Sequence, residues 1–453
     1  MFKKVKNTDI MRIKLSDHFT YGKLFKFVLP SIIMMLFTSI YGVVDGYFVS
    51  NVAGKTAFAA LNFVFPFTMI LGGTGFMIGT GGSALVAKIL GEGDNERANK
   101  VFTMMIYLTL IVGAILTAAG LLLVRPVAKA LGAGEEMLDD CVLYGSIVIA
   151  FTTTFMLQNL FQSFLVVAEK PKLGLYVTIV AGVTNIILDA VFIAGFRWGL
   201  AGAAVATGIG QTVGGVIPLI YFLKKNDSLL RITKTSLEIK PILAACSNGS
   251  SEFMSNIASS LIGLLYNYQL LRLFGTNGVS AYGVLMYVQF VFIAISIGYT
   301  IGSAAVVSYN YGAKNTAELK NVFKKSVVCM AVSGVVLAGL AQALAVPLAK
   351  LFVGYDQELL TLTVKAFRLF SFAFLLSGFN IFSSGFFTAL NNGVVSAIIS
   401  FLRTLVFQAA AVILLPVIVG KNGIWLAITI AELCAFTLSL SFLIAKHKKY
   451  GYY

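Results

Sequence analysis

The chain consists of long apolar stretches separated by short polar connections. A helix that crosses the hydrocarbon core of a bilayer needs about 20 predominantly apolar residues, and the chain offers twelve such stretches. They lie near residues 27–49, 57–87, 101–124, 142–168, 173–196, 199–223, 242–271, 279–308, 325–346, 366–390, 393–417 and 423–445. The pattern predicts an all-α integral membrane protein with twelve transmembrane helices, which are spans 1 to 12 in chain order.

The composition excludes a soluble globular protein and several kinds of site. Hydrophobic residues make up 58% of the chain and charged residues 12%, whereas soluble domains have about 45–50% and 25%. The four cysteines show no CxxC spacing, and both histidines lie outside the apolar stretches, so neither a disulfide framework nor a zinc site is indicated. The chain also lacks a nucleotide-binding loop, so we expect an ion gradient rather than ATP as the energy source. We expect no enzyme, no cofactor and no nucleic-acid partner.

The basic residues indicate how the chain is oriented. Twelve spans place both termini on one face of the membrane, and that face carries 24 of the 34 Lys and Arg residues; nine lie on the opposite face and Arg403 lies inside span 11. Because Lys and Arg collect in cytoplasmic loops, we expect a plasma-membrane protein with cytoplasmic tails at residues 1–26 and 447–453.

The two halves of the sequence resemble each other. A shift of 221 residues superposes residues 60–168 on the second half without a gap, and it places Gly91 on Gly312 and Pro126 on Pro347. Apolar sequences share Leu and Ala by chance, but Gly and Pro in register are much harder to match. The sequence therefore contains an internal duplication.

The duplication predicts two homologous six-helix bundles. The N-lobe covers residues 27–223 (spans 1–6), a cytoplasmic linker covers 224–240, and the C-lobe covers 241–446 (spans 7–12). Because six is even, both bundles have the same orientation and the pseudo-two-fold axis follows the membrane normal. Such parallel repeats are typical of transporters that alternate access to a central cavity. Ancient duplication in a membrane protein that transports nothing is the alternative.

Four polar residues inside the N-lobe spans are predicted to share one depth. Asp45 and Asp189 lie in the outer halves of spans 1 and 5, Thr207 lies near the outer end of span 6, and Asn185 precedes Asp189 by one helical turn. Two neighbouring carboxylates in a low dielectric share a proton or a cation. We therefore predict an ion-coupling site for H⁺ or Na⁺, with a structural polar cluster as the alternative.

Three further charged residues lie inside the C-lobe spans. Arg403 and Glu432 differ in depth by about 7.5 Å, which an arginine side chain can largely bridge, so a structural ion pair is predicted. Glu252, near the middle of span 7, has no obvious partner in the sequence. It faces either the central cavity, where it would attract cationic substrates, or a structural partner.

Several segments resemble a known family, the MATE (multidrug and toxic compound extrusion) transporters, and most closely their bacterial DinF/MepA-type branch. The resemblance rests on Pro30, YGVVDGYFVSNVAGKTAFAALNFVFPF (41–67), TNIILDAVFI (184–193), GLAGAAVATGIGQ (199–211) and GIWLAITIAE (423–432). It implies a two-lobed, twelve-helix exporter that is driven by Na⁺ or H⁺ entry and carries amphiphilic organic cations.

The resemblance also implies roles for individual residues. The coupling site of that branch uses residues that fall on Tyr41, Asp45, Asn185, Asp189 and Thr207. We assign Tyr41 and Glu252 to the substrate cavity, because Tyr41 lies one turn before Asp45 and Glu252 lies where the NorM-type branch carries a functional acid. That branch also has an acid in span 10, where this chain offers only Asn380.

The predicted function is an ion-coupled antiporter that acts as a monomer in the bilayer. A flippase for lipid-linked or polyanionic precursors is the rival within transport, and it would need a cationic cavity. An intramembrane enzyme is the rival from another class, and it would need a metal-binding acidic motif. The sequence leaves open which compounds are carried and whether H⁺ or Na⁺ couples.

Overall fold

The computed structural model describes residues 13–49, 55–130 and 133–453. In the first half, the helices are α1 (Tyr21–Phe48), α2 (Lys55–Gly91), α3 (Asn95–Ala130), α4 (Glu135–Ala150), α5 (Thr152–Val167), α6 (Pro171–Asp189) and α7 (Gly199–Leu223). In the second half, they are α8 (Ile239–Gly312), α9 (Thr316–Val353), α10 (Gln357–Phe370), α11 (Phe374–Ala389), α12 (Gly393–Phe401), α13 (Gln408–Ile418) and α14 (Gly423–Tyr450).

These helices supply the predicted number of spans. In the described parts of the chain, ten helical segments are long and apolar enough to cross a membrane, and the pair α4 and α5, bent by 53°, forms an eleventh span. Helix α8 supplies two spans, since its 74 residues are broken at Gly275, where φ is +64°. Both ends of α8 contact the last turns of α2, because Ala245 lies beside Gly81 and Gly312 beside Lys88.

Several spans depart from a straight α-helix. Helix α6 passes into a π-helical turn (Ala190–Gly195) directly after Asp189, and a second π-helical turn (Leu402–Phe407) joins α12 to α13. A short 3₁₀ turn (Ser371–Ala373) joins α10 to α11. Turns of the π type leave backbone groups irregularly paired and are frequent at functional sites. Helix α1, in contrast, continues through Pro30.

The structure shortens the predicted tails. Helix α1 begins at Tyr21, inside the segment 1–26, and α14 continues to Tyr450, inside the segment 447–453. Helices extend past the apolar stretch because Lys and Arg bury their methylene stems while their charges reach water. Residues 1–12 lie outside the described residues. The linker agrees more closely with the prediction, since Lys224–Glu238 separates α7 from α8.

The two lobes touch closely on one side of the membrane. A side-chain carbon on Gly91 would lie 2.0 Å from the Tyr309 carbonyl oxygen, and one on Gly312 would lie 2.0 Å from the Lys88 carbonyl oxygen. Small residues allow such close approach between transmembrane helices. We call this side the terminal side, because Gly451 contacts Thr316 there, just beyond Gly312.

Candidate functional site

The two N-lobe carboxylates lie together between α1 and α6. Asp189 has an exposed fraction of 0% and Asn185, one turn earlier, of 2%. Asp45 on α1 is close enough to Asp189 for the two carboxyl groups to interact directly. Helix α6 approaches α1 this closely because Gly182 lies against the rings of Phe37 and Tyr41.

Helix α7 closes the next side of this site. Gly210 lies against the side chain of Asn185, where an added carbon would be 3.1 Å from Asn185 Cβ. Thr207 lies three residues before Gly210 and therefore on the same helix face, and its hydroxyl oxygen is buried. Asp45 thus lies on α1, Asn185 and Asp189 on α6, and Thr207 on α7, and α6 packs against both α1 and α7.

Three more polar residues belong to this cluster, and the sequence analysis missed them. Gln158 on α5 interacts with Tyr41 and lies against Gly214 of α7. Tyr144 on α4 is close enough to both carboxylates for electrostatic interaction, and Gln211 lies one turn after Thr207. Gln158 lies in predicted span 4 and Gln211 in predicted span 6, but five other glutamines also lie inside predicted spans, so position in the sequence does not single these two out.

The cluster has unmet hydrogen-bonding capacity. Buried side-chain oxygen or nitrogen atoms without a hydrogen-bond partner in the described structure belong to Asp45, Gln158, Asn185, Asp189, Thr207 and Gln211. A buried polar atom without a partner is costly. We call these six residues together with Tyr41 and Tyr144 the acidic cluster.

Among the residues that the structure describes, the acidic cluster has no basic counterpart. In residues 13–49, 55–130 and 133–453, neither Asp45 nor Asp189 forms a salt bridge with Lys, Arg or His, and no group of three His, Cys, Asp or Glu residues could hold a metal ion. Two adjacent carboxylates in a low dielectric do not both stay charged unless a cation joins them. The site can therefore exchange a proton, or bind a hard cation through carboxylate, amide and hydroxyl oxygens.

The C-lobe charges are arranged differently. Arg403 donates from Nε to both carboxylate oxygens of Glu432, at 2.9 and 3.0 Å, and its Nη2 lies 2.7 Å from Glu432 Oε1. Asn380 donates from Nδ2 to Glu432 Oε2 at 2.7 Å and to the Glu432 carbonyl oxygen at 2.9 Å. Asn380, at the span-10 position, thus supports an internal ion pair.

Glu252 lies on the wall of a cavity between the lobes. The cavity has a volume of about 70 Å³ and is lined by Thr80 and Ser83 of α2, by Ser163 of α5, and by Thr300 of α8. The charge of Arg403 acts on Glu252 across the C-lobe. Tyr41 lies in the acidic cluster and is not among the residues that line this cavity; its assignment to the substrate cavity stays a prediction.

Named transporters are similar to the chain over most of their length. The multidrug export protein MepA of Staphylococcus haemolyticus is 25% identical over 426 residues, which cover 92% of this chain and 93% of that protein. MepA of Staphylococcus aureus is 25% identical over 417 residues, which cover 91% of each.

Solved structures share the fold. An outward-facing conformation of a multidrug resistance MATE family transporter of the MOP superfamily superposes with a TM-score of 0.89 and 22% sequence identity, over 95% of this chain and 98% of that one. A MOP superfamily transporter from Pyrococcus furiosus superposes with a TM-score of 0.87 over 95% of this chain and 97% of that one, again at 22% identity.

The sequence profile of the MatE family matches the chain twice, once in each lobe. The matched ranges are residues 30–191 and 253–413, which together make up more than half of the chain and agree with the internal duplication. The chain therefore belongs to the MatE family, as a MATE transporter of the MepA type.

Proposed function

We propose that the chain is an H⁺- or Na⁺-coupled antiporter that exports amphiphilic, often cationic, organic compounds across the plasma membrane by alternating access. The observation that carries the proposal is the adjacent pair of half-buried Asp45 and fully buried Asp189, which no described basic residue neutralises. A charge placed in the membrane interior is expensive and usually serves function. The relatives named as multidrug export proteins support export as the direction and diverse compounds as the cargo.

In the proposed mechanism, ion binding and substrate export are coupled between two separate acidic sites. The acidic cluster lies within the N-lobe, whereas Glu252 lines the cavity between the lobes, so ion and substrate need not touch. The ion changes the charge among α1, α6 and α7, and thereby the packing of α1 within its lobe. Export is driven if the ion binds one conformation more tightly than the other; a hundredfold preference corresponds to about 2.7 kcal/mol.

The cavity favours a cationic or neutral substrate. Its charged wall residue is an acid, Glu252, and hydroxyl groups of Thr80, Ser83 and Thr300 supply the other polar contacts. A polyanionic substrate would be repelled by Glu252, which argues against the flippase alternative.

The direct test is export from proteoliposomes under separately imposed gradients. Purified protein is reconstituted, and efflux of the fluorescent cation ethidium is followed under a pH gradient alone, a Na⁺ gradient alone, and neither. We expect efflux under at least one of the two gradients. Efflux that requires neither gradient, or none under either, contradicts the proposal.

The proposed orientation has a separate test. Single cysteines replace exposed Arg197 and Lys421 on one side, and exposed Lys234 on the terminal side, in a background without the native cysteines. An impermeant thiol reagent outside intact cells should label the first two and spare the third. The opposite pattern would place both termini outside.

A further inference from the structure

Two chain segments occupy equivalent places in the repeat, immediately before the first span of each lobe. The N-terminal strap (residues 13–20) precedes α1, and the linker strap (residues 224–238) precedes α8. The repeat shift of 221 residues relates position 17 to position 238. Both straps lie on the terminal side, and each one is held at least in part by the lobe that does not contain the span it leads into.

The N-terminal strap leads into the N-lobe and is bound by both lobes. Leu15 donates its backbone N–H to Glu169 Oε1 of the N-lobe at 2.8 Å, and the contacts that follow are with the C-lobe. Phe19 donates its backbone N–H to Glu318 Oε1 at 2.9 Å, and His18 Nδ1 lies 2.6 Å from Glu318 Oε2. Asn321 donates to the Phe19 carbonyl oxygen at 2.9 Å. Phe19 and Leu15 are both fully buried, so the strap is packed into the protein rather than resting on its surface.

The linker strap leads into the C-lobe but is bound by the N-lobe. Arg97 donates from Nη1 and Nη2 to the two oxygens of Glu238, each at 2.8 Å. Two backbone N–H groups of this strap also donate to side chains of α3, Arg231 to Asn99 at 2.6 Å and Thr233 to Thr103 at 3.0 Å.

The two fastenings are symmetric in position but not in charge. The repeat shift superposes Arg97 on Glu318. Arg97, at the start of α3 just after the α2–α3 connection, holds its strap with a cation, and Glu318, at the start of α9 just after the α8–α9 connection, holds its strap with an anion. Both connections lie next to Gly91 and Gly312, where the lobe backbones touch. The lobes cannot part there while Glu238 stays on Arg97 and Phe19 stays on Glu318.

We propose that the two straps are paired latches that hold the terminal side closed, and that both fastenings must open before the central cavity can face that side. The inference extends the proposed function, because it names the contacts that alternating access has to break. Charge-assisted and buried hydrogen bonds are the stronger ones available for this. We expect loss of both fastenings to raise the open population at least about tenfold.

The test measures opening directly. Ser83 lines the cavity beyond the glycine contacts, so Ser83→Cys, in a background without the native cysteines, reports access when an impermeant thiol reagent is confined to the terminal side of sided vesicles. The labelling rate follows the open population even when that population is small. We expect the rate to rise about tenfold or more in Arg97→Glu combined with Glu318→Ala, and less in either single variant.

A charge swap separates a latch from general loosening. Arg97→Glu/Glu238→Arg restores an ion pair with its charges exchanged, so the labelling rate should return toward that of the parent. Glu96→Ala is the matched control, because Glu96 pairs with Lys100 at 2.7 Å within α3 and joins no strap. The labelling rate of a cysteine at exposed Lys320, measured in separate samples, serves as the reference to which the Ser83→Cys rates are normalised.

Each outcome decides the proposal. The latches are supported if the labelling rate rises in the variants that lack the fastenings and returns toward the parent rate in the charge swap. Glu96→Ala should leave the rate unchanged. An unchanged rate in the Arg97→Glu, Glu318→Ala variant overturns the latches, and so does a rise that the swap leaves in place. The readout needs neither a gradient nor a substrate, so it stays informative even if the efflux experiment fails.

Discussion

The two lobes handle buried charge in opposite ways. In the N-lobe, Asp45 and Asp189 face each other without a described basic partner, and polar atoms around them lack hydrogen-bond partners. In the C-lobe, Glu432 is held by Arg403 and Asn380 through short hydrogen bonds. Within the described residues, the duplicated bundle thus carries one charge site without a basic partner and another that has its own counter-ion.

The contrast is sharper because the backbone around the two sites is similar. A π-helical turn begins directly after Asp189 in span 5, and another contains Arg403 in span 11, the equivalent span of the second lobe. Both turns loosen the regular helix beside a charged residue. The two lobes therefore share the same irregularity of the backbone but differ in the side chains around it. A charged residue inside the membrane can be assigned to ion exchange only when the residues that pair with it are known.

The largest effect is expected from neutralising the N-lobe pair. Asp45→Asn and Asp189→Asn should each abolish gradient-driven ethidium efflux, a loss of at least about a hundredfold, because one carboxylate cannot replace the shared site. The double variant should be no worse than either single one. Initial efflux rates in proteoliposomes check this.

The matched control is Asp139→Asn at an exposed position of α4, which removes a carboxylate paired with Arg125 at 2.5 Å. It should leave efflux unchanged. Substantial gradient-driven efflux by Asp45→Asn or Asp189→Asn would remove the acidic cluster from the coupling mechanism.

The second effect concerns stability and should have the opposite sign in the two lobes. Arg403→Gln leaves Glu432 buried without its cation, and breaking a buried pair costs about 3–5 kcal/mol in the free energy of unfolding. Arg403→Gln/Glu432→Gln removes both charges and should recover most of that loss. Asp45→Asn/Asp189→Asn, in contrast, should leave stability equal or higher, since it removes a charge from the membrane interior that no described basic residue neutralises. The measurement is the free energy of unfolding by denaturant in detergent. An Arg403→Gln variant as stable as the parent would refute the contrast.

The fold was predictable because the bilayer imposes a simple rule. Apolar stretches of about 20 residues mark spans, and glycine and proline in register marked the duplication. Local breaks were not predicted: the bend near Phe151 and the 3₁₀ turn at Ser371–Ala373 lie inside the predicted spans 4 and 10. What ends a helix there is its packing against neighbours, to which hydropathy is insensitive.

Part of the site was predictable, because residues at the same depth in the membrane on neighbouring spans can contact each other. Asp45, Asn185 and Asp189 could be grouped because spans 1 and 5 run in the same direction, and the structure places them side by side. Gln158 and Tyr144 escaped because span 4 is bent, so the residues it presents to the cluster do not follow one helical face. The straps escaped for another reason, since polar connections reveal nothing about the lobe on which they dock.

A moderate effect is expected at the cavity wall. Glu252→Gln removes the acid that faces the cavity and should lower kcat/KM for a monovalent organic cation about tenfold, equivalent to about 1.4 kcal/mol. Most of the change should be in KM, because the carboxylate attracts the cation before transport. Transport of a neutral amphiphile at the same gradient is the control. Equal losses for both substrates would make Glu252 a structural residue.

The smallest effect should be the response of the linker strap to pH. The hydrogen bonds from Arg97 to Glu238, together with the charges of Arg97 and Lys100, hold the pKa of that carboxyl below its ordinary value of 4.5. A lowered pKa means that the pairing is fully present above pH 4.5 and is lost only as the pH falls through the lower, folded-state value.

Docking of the linker strap should therefore stay constant between pH 8 and 5.5. A spin label at Ser236, an exposed strap position, should show unchanged mobility over this range, whereas label mobility should rise in Arg97→Glu at any of these pH values. Release of the strap within that range would mean that another titrating group controls the latch. If the mobility of the label stays constant, any pH-driven movement of the lobes must be caused by groups other than Glu238. Asp45 and Asp189 would be the first pair to test by neutralisation.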